Sequence, residues 1–531
     1  MRHRLLAVDD ERLNLMILRE ILSARGFDVD CCASGEEAVE LVKKNDYTLV
    51  LLDILLPEMD GYSCCPLIKS LSPGTSVIML TGMLDDDAIE KSFKSGASDY
   101  LKKPINETEL AARVDNVIKM KEAEASVSSL NSKLLADLDA AHRVQMFMAP
   151  DWLIEEGGLV VSSIYEPALK VSGDILDFIK VSDDVYVIYA GDISGHGVQA
   201  ALLMTVVQAI VKMLVMDEVG AVSPSRVLTK LNKILKAEFF ETNYLTISLG
   251  ILNLKDESFK YCEAGHPPLI RLDMRTGMAS AVKSPGSIPV GWMPDTEYSA
   301  ADERVIKLEK DHLYFLYTDG IFECADSKGD TLEIDGLRGI IERSFSRDLL
   351  HVYPCVLRES IRGGGFSLGG DDITVLTFSL CGSSPDSKKV FLTVSADIQE
   401  VSQIGRRLED TVIEWLGDCE LGAAVELIVN ELLNNILTHG RGADFHRLKS
   451  DIFIEMTCPD GGGPVIKFWD KGPEWTPGEI GDHEKFFQDS NERRSESGRG
   501  LGIIKSLSCD FSVKRFSDVN ETVVTLKGVK S

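Results

Sequence analysis

Over roughly the first hundred residues, short apolar runs alternate with stretches whose apolar positions recur at helical spacing. Residues 4–9 form an apolar run ending in Asp9-Asp10, 48–52 lead into Asp53, and 76–80 lead into Thr81. Between them Leu13, Ile17 and Ile21, then Ala38, Leu41 and Val42, mark helix faces. Strand alternating with helix predicts a doubly wound parallel sheet. In such sheets the site lies at the carboxyl ends of the strands. Asp53 and Thr81 fall at those ends, and Lys103 is expected just after another.

From Asn106 to Met148 the chain has neither Gly nor Pro. Leu110, Val114, Val117, Val127, Leu130, Leu134, Ala141, Val144 and Met148 recur at alternating spacings of three and four, with Asp137 as a polar break. That predicts one long helix, either a dimeric coiled coil or a lone solvated linker, ended by Pro150. Residues 151–380 read as strand-rich, with an apolar helix over 198–215. Residues 381–387 form a turn-rich linker, and 388–531 read as a further mixed α/β domain. No run approaches the length needed to span a bilayer, and the N-terminus lacks a signal-peptide pattern. The expectation is a cytoplasmic, multidomain α/β protein with no membrane partner.

Composition narrows the classes. Asp+Glu 84 against Lys+Arg 56 leaves a net charge of -28, which repels nucleic-acid backbones, so no nucleic-acid partner is expected. The 11 cysteines are scattered, with Cys31-Cys32 and Cys64-Cys65 adjacent and no CxxC, which argues against zinc or a redox motif.

The candidate chemistry falls into three sets. In the first, Asp9, Asp10 and Asp53 can share one Mg²⁺ through oxygen ligands, so that the Asp53 carboxylate can attack a phosphoryl donor. Thr81 and Lys103 can hold the new phosphoryl oxygens. The pattern, with Pro57, Asp60-Gly61 and Pro104, resembles the response-regulator receiver family over residues 1–121, which implies a doubly wound (βα)5 fold there. The resemblance implies Asp53 as phosphoacceptor, Thr81 as switch hydroxyl, Lys103 as phosphate contact and Tyr100 as the rotating aromatic. Gly82 departs mildly from the alanine usual there.

The second set is Ser172-Gly173-Asp174, Gly191-Asp192-Ile193-Ser194-Gly195-His196-Gly197, Tyr317-Thr318-Asp319-Gly320 and Asp371-Asp372-Ile373-Thr374. Carboxylates from separate strands, converging on two cations, suit hydrolysis by a bridging water. The order resembles the PP2C-type serine/threonine phosphatases of the SpoIIE/RsbU family over 150–380, an α/β/β/α sandwich entered through a helix like His142–Gln145. By resemblance Asp192 would bridge both metals beside the Ile193 carbonyl, and Asp319 and Asp371 would complete one. Asp174 is a further acid, with Asp177 and Asp372 weaker. Two Mn²⁺ or Mg²⁺ ions are implied. His196 is either a proton carrier or a turn residue; His266 reads as structural beside a tight turn, or, since it matches a recurrent family segment, as a site residue. Ser172 and Leu176 depart from the family's Gly and aromatic.

The third set is Glu431-Leu432-Leu433-Asn434-Asn435, Asp470-Lys471-Gly472-Pro473 and Gly498-Arg499-Gly500-Leu501-Gly502. Glu431 and Asn435 share a helix face, one to accept a hydroxyl proton and the other to ligate Mg²⁺. Asp470 can read an adenine amino group, and the glycines let backbone approach phosphate. These boxes resemble the GHKL two-layer α/β ATPases, specifically RsbW-type serine kinases, over 388–531; His439 matches too. Loss of turnover, leaving an ATP-binding partner module, stays open.

The whole chain resembles the receiver–phosphatase–kinase regulators of bacterial partner switching, the HsbR/CrsR type, with a helical linker at 106–149. That implies a STAS-domain anti-sigma-factor antagonist as substrate and an upstream sensor histidine kinase. A sigma or anti-sigma factor as partner, ATP as cofactor and a homodimer through the linker are also implied.

Overall fold

A computed structural model describes residues 3–527 except 83–85, 218–221, 240–241, 381–387, 395–397, 440–451, 460–461 and 473–498. The expected linker at 381–387 therefore lies outside the described residues. The chain divides into two compact units, Met1–Asp137 and Leu138–Ser531.

In the first unit five parallel strands lie in the order Asp28–Cys32, Arg4–Val8, Leu49–Asp53, Ser76–Thr81, Asp99–Lys102. Leu5 to Val8 and Leu49 to Leu52 are all 0% exposed, as expected of parallel strands covered on both faces. Strand order reverses between Arg4–Val8 and Leu49–Asp53, so the crevice opens where Asp9 and Asp53 sit. Local signals set the helices: Ser34 caps Gly35–Lys44 by accepting from the Glu37 amide, and Asp60 caps Gly61–Leu71 through Ser63.

The long helix runs Glu107–Met148, and the Asn106 side chain accepts from the Glu109 amide at its start. Leu110, Val114, Val117 and Ile118 are buried in the first unit's core. Val127, Leu130 and Leu134 are exposed.

The second unit begins with two antiparallel sheets. One orders Glu303–Lys307, Ser258–Ala264, Leu245–Asn253, Val185–Ile193, Asp174–Lys180; the other orders Met278–Ala281, Ile270–Asp273, His312–Tyr317, Ile373–Leu380, Leu159–Glu166, Leu153–Glu156. Residues of both, including Val161, Ile188, Tyr261, Leu316 and Phe378, share one core. Helices Val198–Asp217 and Pro224–Glu238 cover the first sheet, and Glu333–Ser344 and Tyr353–Gly363 cover the second. This is the expected α/β/β/α sandwich. One expectation is corrected: Val198–Asp217 is long and apolar enough, by length and composition, to cross a bilayer. Its apolarity has another use, since Met204, Val207 and Val211 pack against Val187, Ile247 and Leu249 of the sheet.

The last sheet is antiparallel in the order Lys388–Val394, Ile452–Cys458, Val465–Asp470, Val519–Leu526, Ser508–Phe516. One face carries helices Ile398–Leu416, Cys419–His439 and Arg499–Leu507. The other face is covered as well. Phe453, Trp469 and Val519 join the core that holds Trp152, Val352 and Tyr353 of the preceding sandwich.

Candidate functional sites

In the first unit Asp9 and Asp53 are buried and Asp10 is exposed, each following an apolar strand into the crevice. One carboxylate oxygen from each lies within 4.8 Å of the others, a donor set that fits a hard divalent cation. The Lys103 ammonium is 2.7 Å from Asp9 and 2.6 Å from Asp53. Burial pushes the Asp53 carboxyl above its ordinary value, and Lys103 only partly offsets this. Asp9 is oriented by donors from the Glu11 amide and Asn14 side chain, both at 3.0 Å. Thr81 is buried at the end of the neighbouring strand. Tyr100 is half-buried, 5.4 Å beneath the Arg113 guanidinium and edge-on to Phe93.

In the sandwich, Asp174 and Asp192 stand opposite each other on adjacent strands. Asp319 follows the strand His312–Tyr317, and Asp371 precedes its neighbour Ile373–Leu380. Glycines let these loops meet. A Cβ at Gly320 would lie 2.0 Å from the Asp372 carbonyl, and one at Gly173 would lie 3.3 Å from the Ile193 carbonyl and 3.4 Å from the Asp192 carboxylate.

The electrostatics report the convergence. Burial, then Asp319, Asp371 and Asp372, push the Asp192 carboxyl from 3.8 up to about 7. Burial and then Asp192 push Asp174 well above its ordinary value, and burial, Asp371 and Glu323 raise Asp319. A cluster of carboxylates that oppose one another's ionisation is what bound cations relieve, so the residues fit a divalent metal centre.

The neighbouring acids are placed differently. Asp372 accepts from the Ala168 and Gly173 amides, both at 2.8 Å, and so ties two loops together. Asp177 faces the helix Val198–Asp217, with Gln208 at 3.5 Å and Tyr189 at 3.4 Å. His196 is exposed. His266 is buried with Nδ1 3.4 Å from the Thr246 hydroxyl, and burial lowers it to about 3, so it stays neutral at physiological pH. Sequence reasoning gave no role to Thr318, which donates to the buried Asp174 carboxylate at 2.8 Å. It also missed Gln145, which exchanges hydrogen bonds with the Ser172 backbone. Ser172 itself accepts from the Asp174 amide, a use that fits its departure from glycine.

In the last domain Glu431 and Asn435 lie on Cys419–His439, and Asn435 Nδ2 is buried without a hydrogen-bond partner among the described residues. Asp470 ends its strand 2% exposed; its Oδ1 accepts from the Gly472 amide and from Asn520, both at 2.9 Å. Among the described residues its Oδ2 is buried with no partner, as an acceptor kept for a ligand amino group would be. The fit to an adenine nucleotide rests on that oxygen. Arg515, unsuspected from sequence, donates to the Gly472 carbonyl and to Asn520. Nothing local signals it, because it arrives from another strand. Gly502 lies on Arg499–Leu507 with Arg499, Gly500 and Leu501. Pro473, Gly498 and the side chains of His439, Arg499 and Leu501 are outside the described residues.

Comparison with known proteins matches three family models in order. These are the response regulator receiver domain over 5–115, stage II sporulation protein E (SpoIIE) over 182–380, and the histidine kinase-like ATPase domain over 394–527. The cell cycle transcriptional regulator CtrA of Caulobacter vibrioides is 31% identical over 137 residues, 26% of this chain and 59% of that protein. The probable transcriptional regulator ycf27 of Porphyridium aerugineum is 35% identical over 129 residues, and the chain spans 53% of it. Phosphoserine phosphatase RsbU of Bacillus subtilis is 25% identical over 251 residues, 47% of this chain and 72% of that protein. A crystal structure of the RsbU and RsbW domains of Rv1364c from Mycobacterium tuberculosis is 20% identical with a TM-score of 0.38, covering 70% of this chain and 95% of that one. The SpoIIE-type domain supports serine/threonine phosphatase chemistry, and the two catalytic-type domains imply use of divalent metal and ATP. In order along the chain, residues 5–115 match a receiver domain, 182–380 a SpoIIE-type PP2C domain and 394–527 a histidine-kinase-like ATPase domain.

Proposed function

We propose that the chain is a bifunctional regulator of a bacterial partner-switching pathway. It removes phosphate from, and adds phosphate to, a serine or threonine of a STAS-domain anti-sigma-factor antagonist. Phosphorylation of Asp53 by a sensor histidine kinase sets the balance. The observation that carries this reading is the convergence of acids from separate segments of one sandwich: Asp174 opposite Asp192 on adjacent strands, with Asp319 and Asp371 close enough to oppose the ionisation of Asp192.

In the phosphatase, two Mn²⁺ or Mg²⁺ ions supply an acidified water and neutralise phosphate charge when bound. Asp192, Asp319 and Asp371 would hold these ions, and Asp174 is held in orientation by Thr318. In the ATPase domain Asp470 reads the adenine, Asn435 offers its amide oxygen to Mg²⁺, and Glu431 accepts the proton of the incoming hydroxyl. In the receiver, Lys103 exchanges its pairing with the Asp53 carboxylate for the new phosphoryl oxygens. The exposed Val127, Leu130 and Leu134 supply a seam for a homodimer through the linker.

The test is to mix the purified protein with a candidate STAS antagonist and follow its phosphorylation by mobility-shift gel. ATP·Mg²⁺ and then Mn²⁺ are supplied, each with and without a phosphoryl mimic on Asp53. Phosphorylation in one condition and reversal in the other supports the reading. Reversal alone, from a pre-phosphorylated antagonist, reduces the ATPase domain to a binding module.

A further inference from the structure

The nucleotide box is joined by a run of polar and charged contacts to the strand that follows Asp371 of the phosphatase. The run starts at the β-hairpin that closes the last sheet. Arg515 and Asn520 face each other across that hairpin, whose turn is Ser517-Asp518 with Ser517 at φ 58. On one side the hairpin holds the box: Asn520 donates to Asp470, and Arg515 donates to the Gly472 carbonyl. On the other side its tip reaches the phosphatase. Asp518 accepts from Arg358 at 3.0 Å, with Lys471 of the box 3.7 Å away. Lys471 also lies 5.1 Å over the Trp152 ring.

Arg358 is 2% exposed on the helix Tyr353–Gly363. Its guanidinium pairs with Glu166 and with Asp518, one carboxylate from each domain, and Glu359 of its own helix lies 3.7 Å away. Glu166 stands opposite Ile373 in the ladder, two residues beyond Asp371. A buried cation shared in this way is sensitive to either partner, because losing one redistributes its pairing among the carboxylates that remain. Burial alone would raise the Asp518 carboxyl, but Lys471 and Arg358 outweigh it and hold it below its ordinary value.

We propose that an adenine nucleotide bound at Asp470 is an effector of the phosphatase in the same chain, acting through the Ser517-Asp518 turn on Arg358 and Glu166. This rests on the reading of the last domain as a nucleotide site. A ligand amino group at the unpartnered Asp470 oxygen loads Asp470, Gly472 and Asn520 together. The hairpin carries that displacement to Arg358.

The test uses the full chain, excess Mn²⁺, p-nitrophenyl phosphate as substrate and ADP, which has no γ-phosphoryl group to transfer. ADP binding is measured separately by calorimetry. Saturating ADP is expected to change kcat or KM by about fivefold, the low end of ordinary couplings between sites. Asp470→Asn should lose both binding and response, which also controls for chelation of Mn²⁺. Asp518→Asn should bind ADP and hydrolyse substrate at the basal rate, with the response below twofold. Lys471→Met, which removes only one contact to Asp518, should weaken the response if Asp518→Asn does not fold. ADP binding without any response overturns the coupling and leaves the nucleotide reading intact. Failure of the wild-type chain to bind ADP overturns both. A full response in Asp518→Asn overturns the route.

Discussion

Replacing Asp192 by Asn should abolish phosphatase activity and yet stabilise the metal-free protein. The Asp192 carboxyl moves from 3.8 to about 7 because burial and three neighbouring acids oppose its ionisation. Its folded-state value lies above its unfolded one, so the folded chain holds a proton that the unfolded chain releases. The penalty is absent below about pH 4, grows as pH rises, and is complete above about pH 7. Its ceiling is roughly 4 kcal/mol. Asn still buries an amide, at about 1–2 kcal/mol, which leaves a gain near 2 kcal/mol at pH 8. For a domain of this size that is a rise in Tm of about 4–8 °C. The assay is thermal unfolding of wild type and variant in EDTA at pH 8 and at pH 5. The variant's advantage should shrink at pH 5, where wild-type Asp192 is already protonated. Mn²⁺ at a hundredfold excess over its dissociation constant should stabilise the wild type by about 2.7 kcal/mol and the variant far less. A variant no more stable than wild type in EDTA at pH 8 would refute the idea that these acids strain one another without metal.

Four further outcomes are expected. Thr318→Val removes the hydroxyl donor to buried Asp174 and should weaken Mn²⁺ binding by about tenfold, read by titrating activity against Mn²⁺. Gly320→Ala sets a Cβ 2.0 Å from the Asp372 carbonyl and should cut p-nitrophenyl phosphate hydrolysis at least a hundredfold, while receiver phosphorylation persists. Glu431→Ala should abolish ATP-dependent phosphorylation of the antagonist while ATP still binds; phosphorylation at the wild-type rate would remove Glu431 as the base. Asp53→Ala should erase any response of antagonist phosphorylation to a small-molecule phosphoryl donor, and a preserved response would place the signal elsewhere.

The receiver was legible because its chemistry is local. Each of Asp9, Asp53 and Thr81 directly follows an apolar run that is a fully buried parallel strand, so strand ends and site residues are one signal. The sandwich was legible in order but not in geometry. The motifs named the loops that meet, yet adjacent acids have different surroundings. Asp371 stays in the exposed mouth, while both oxygens of its neighbour Asp372 are taken by amides. Sequence spacing does not resolve that division, since both carboxylates sit in one loop and only the partners brought by Ala168 and Gly173 tell them apart. Likewise the apolarity of Val198–Asp217 reflects a long face against a sheet, a demand set by tertiary packing.

The joint between phosphatase and ATPase domains was least visible, though it left a trace. A two-layer domain needs only one apolar face on its sheet, so alternate positions should be polar. Here the strand Ile452–Cys458 opens Ile452-Phe453-Ile454, and Val465–Asp470 closes Phe468-Trp469, with apolar residues on both faces. Phe453 and Trp469 are the outer-face members, 0% and 1% exposed, and they lie in one core with Trp152. Between them Glu455 pairs with Lys389, which pairs in turn with Glu155, all at 2.6 Å, so the charges of the outer face are matched by a carboxylate from the phosphatase. His351 completes the set, 3.0 Å from Glu155 and stacked on Trp469. An outer face that is apolar at its centre and charge-matched around it is built to be covered. This ATPase domain therefore differs from a free-standing two-layer one, and the contact that covers its sheet also brings Asp518 to Arg358.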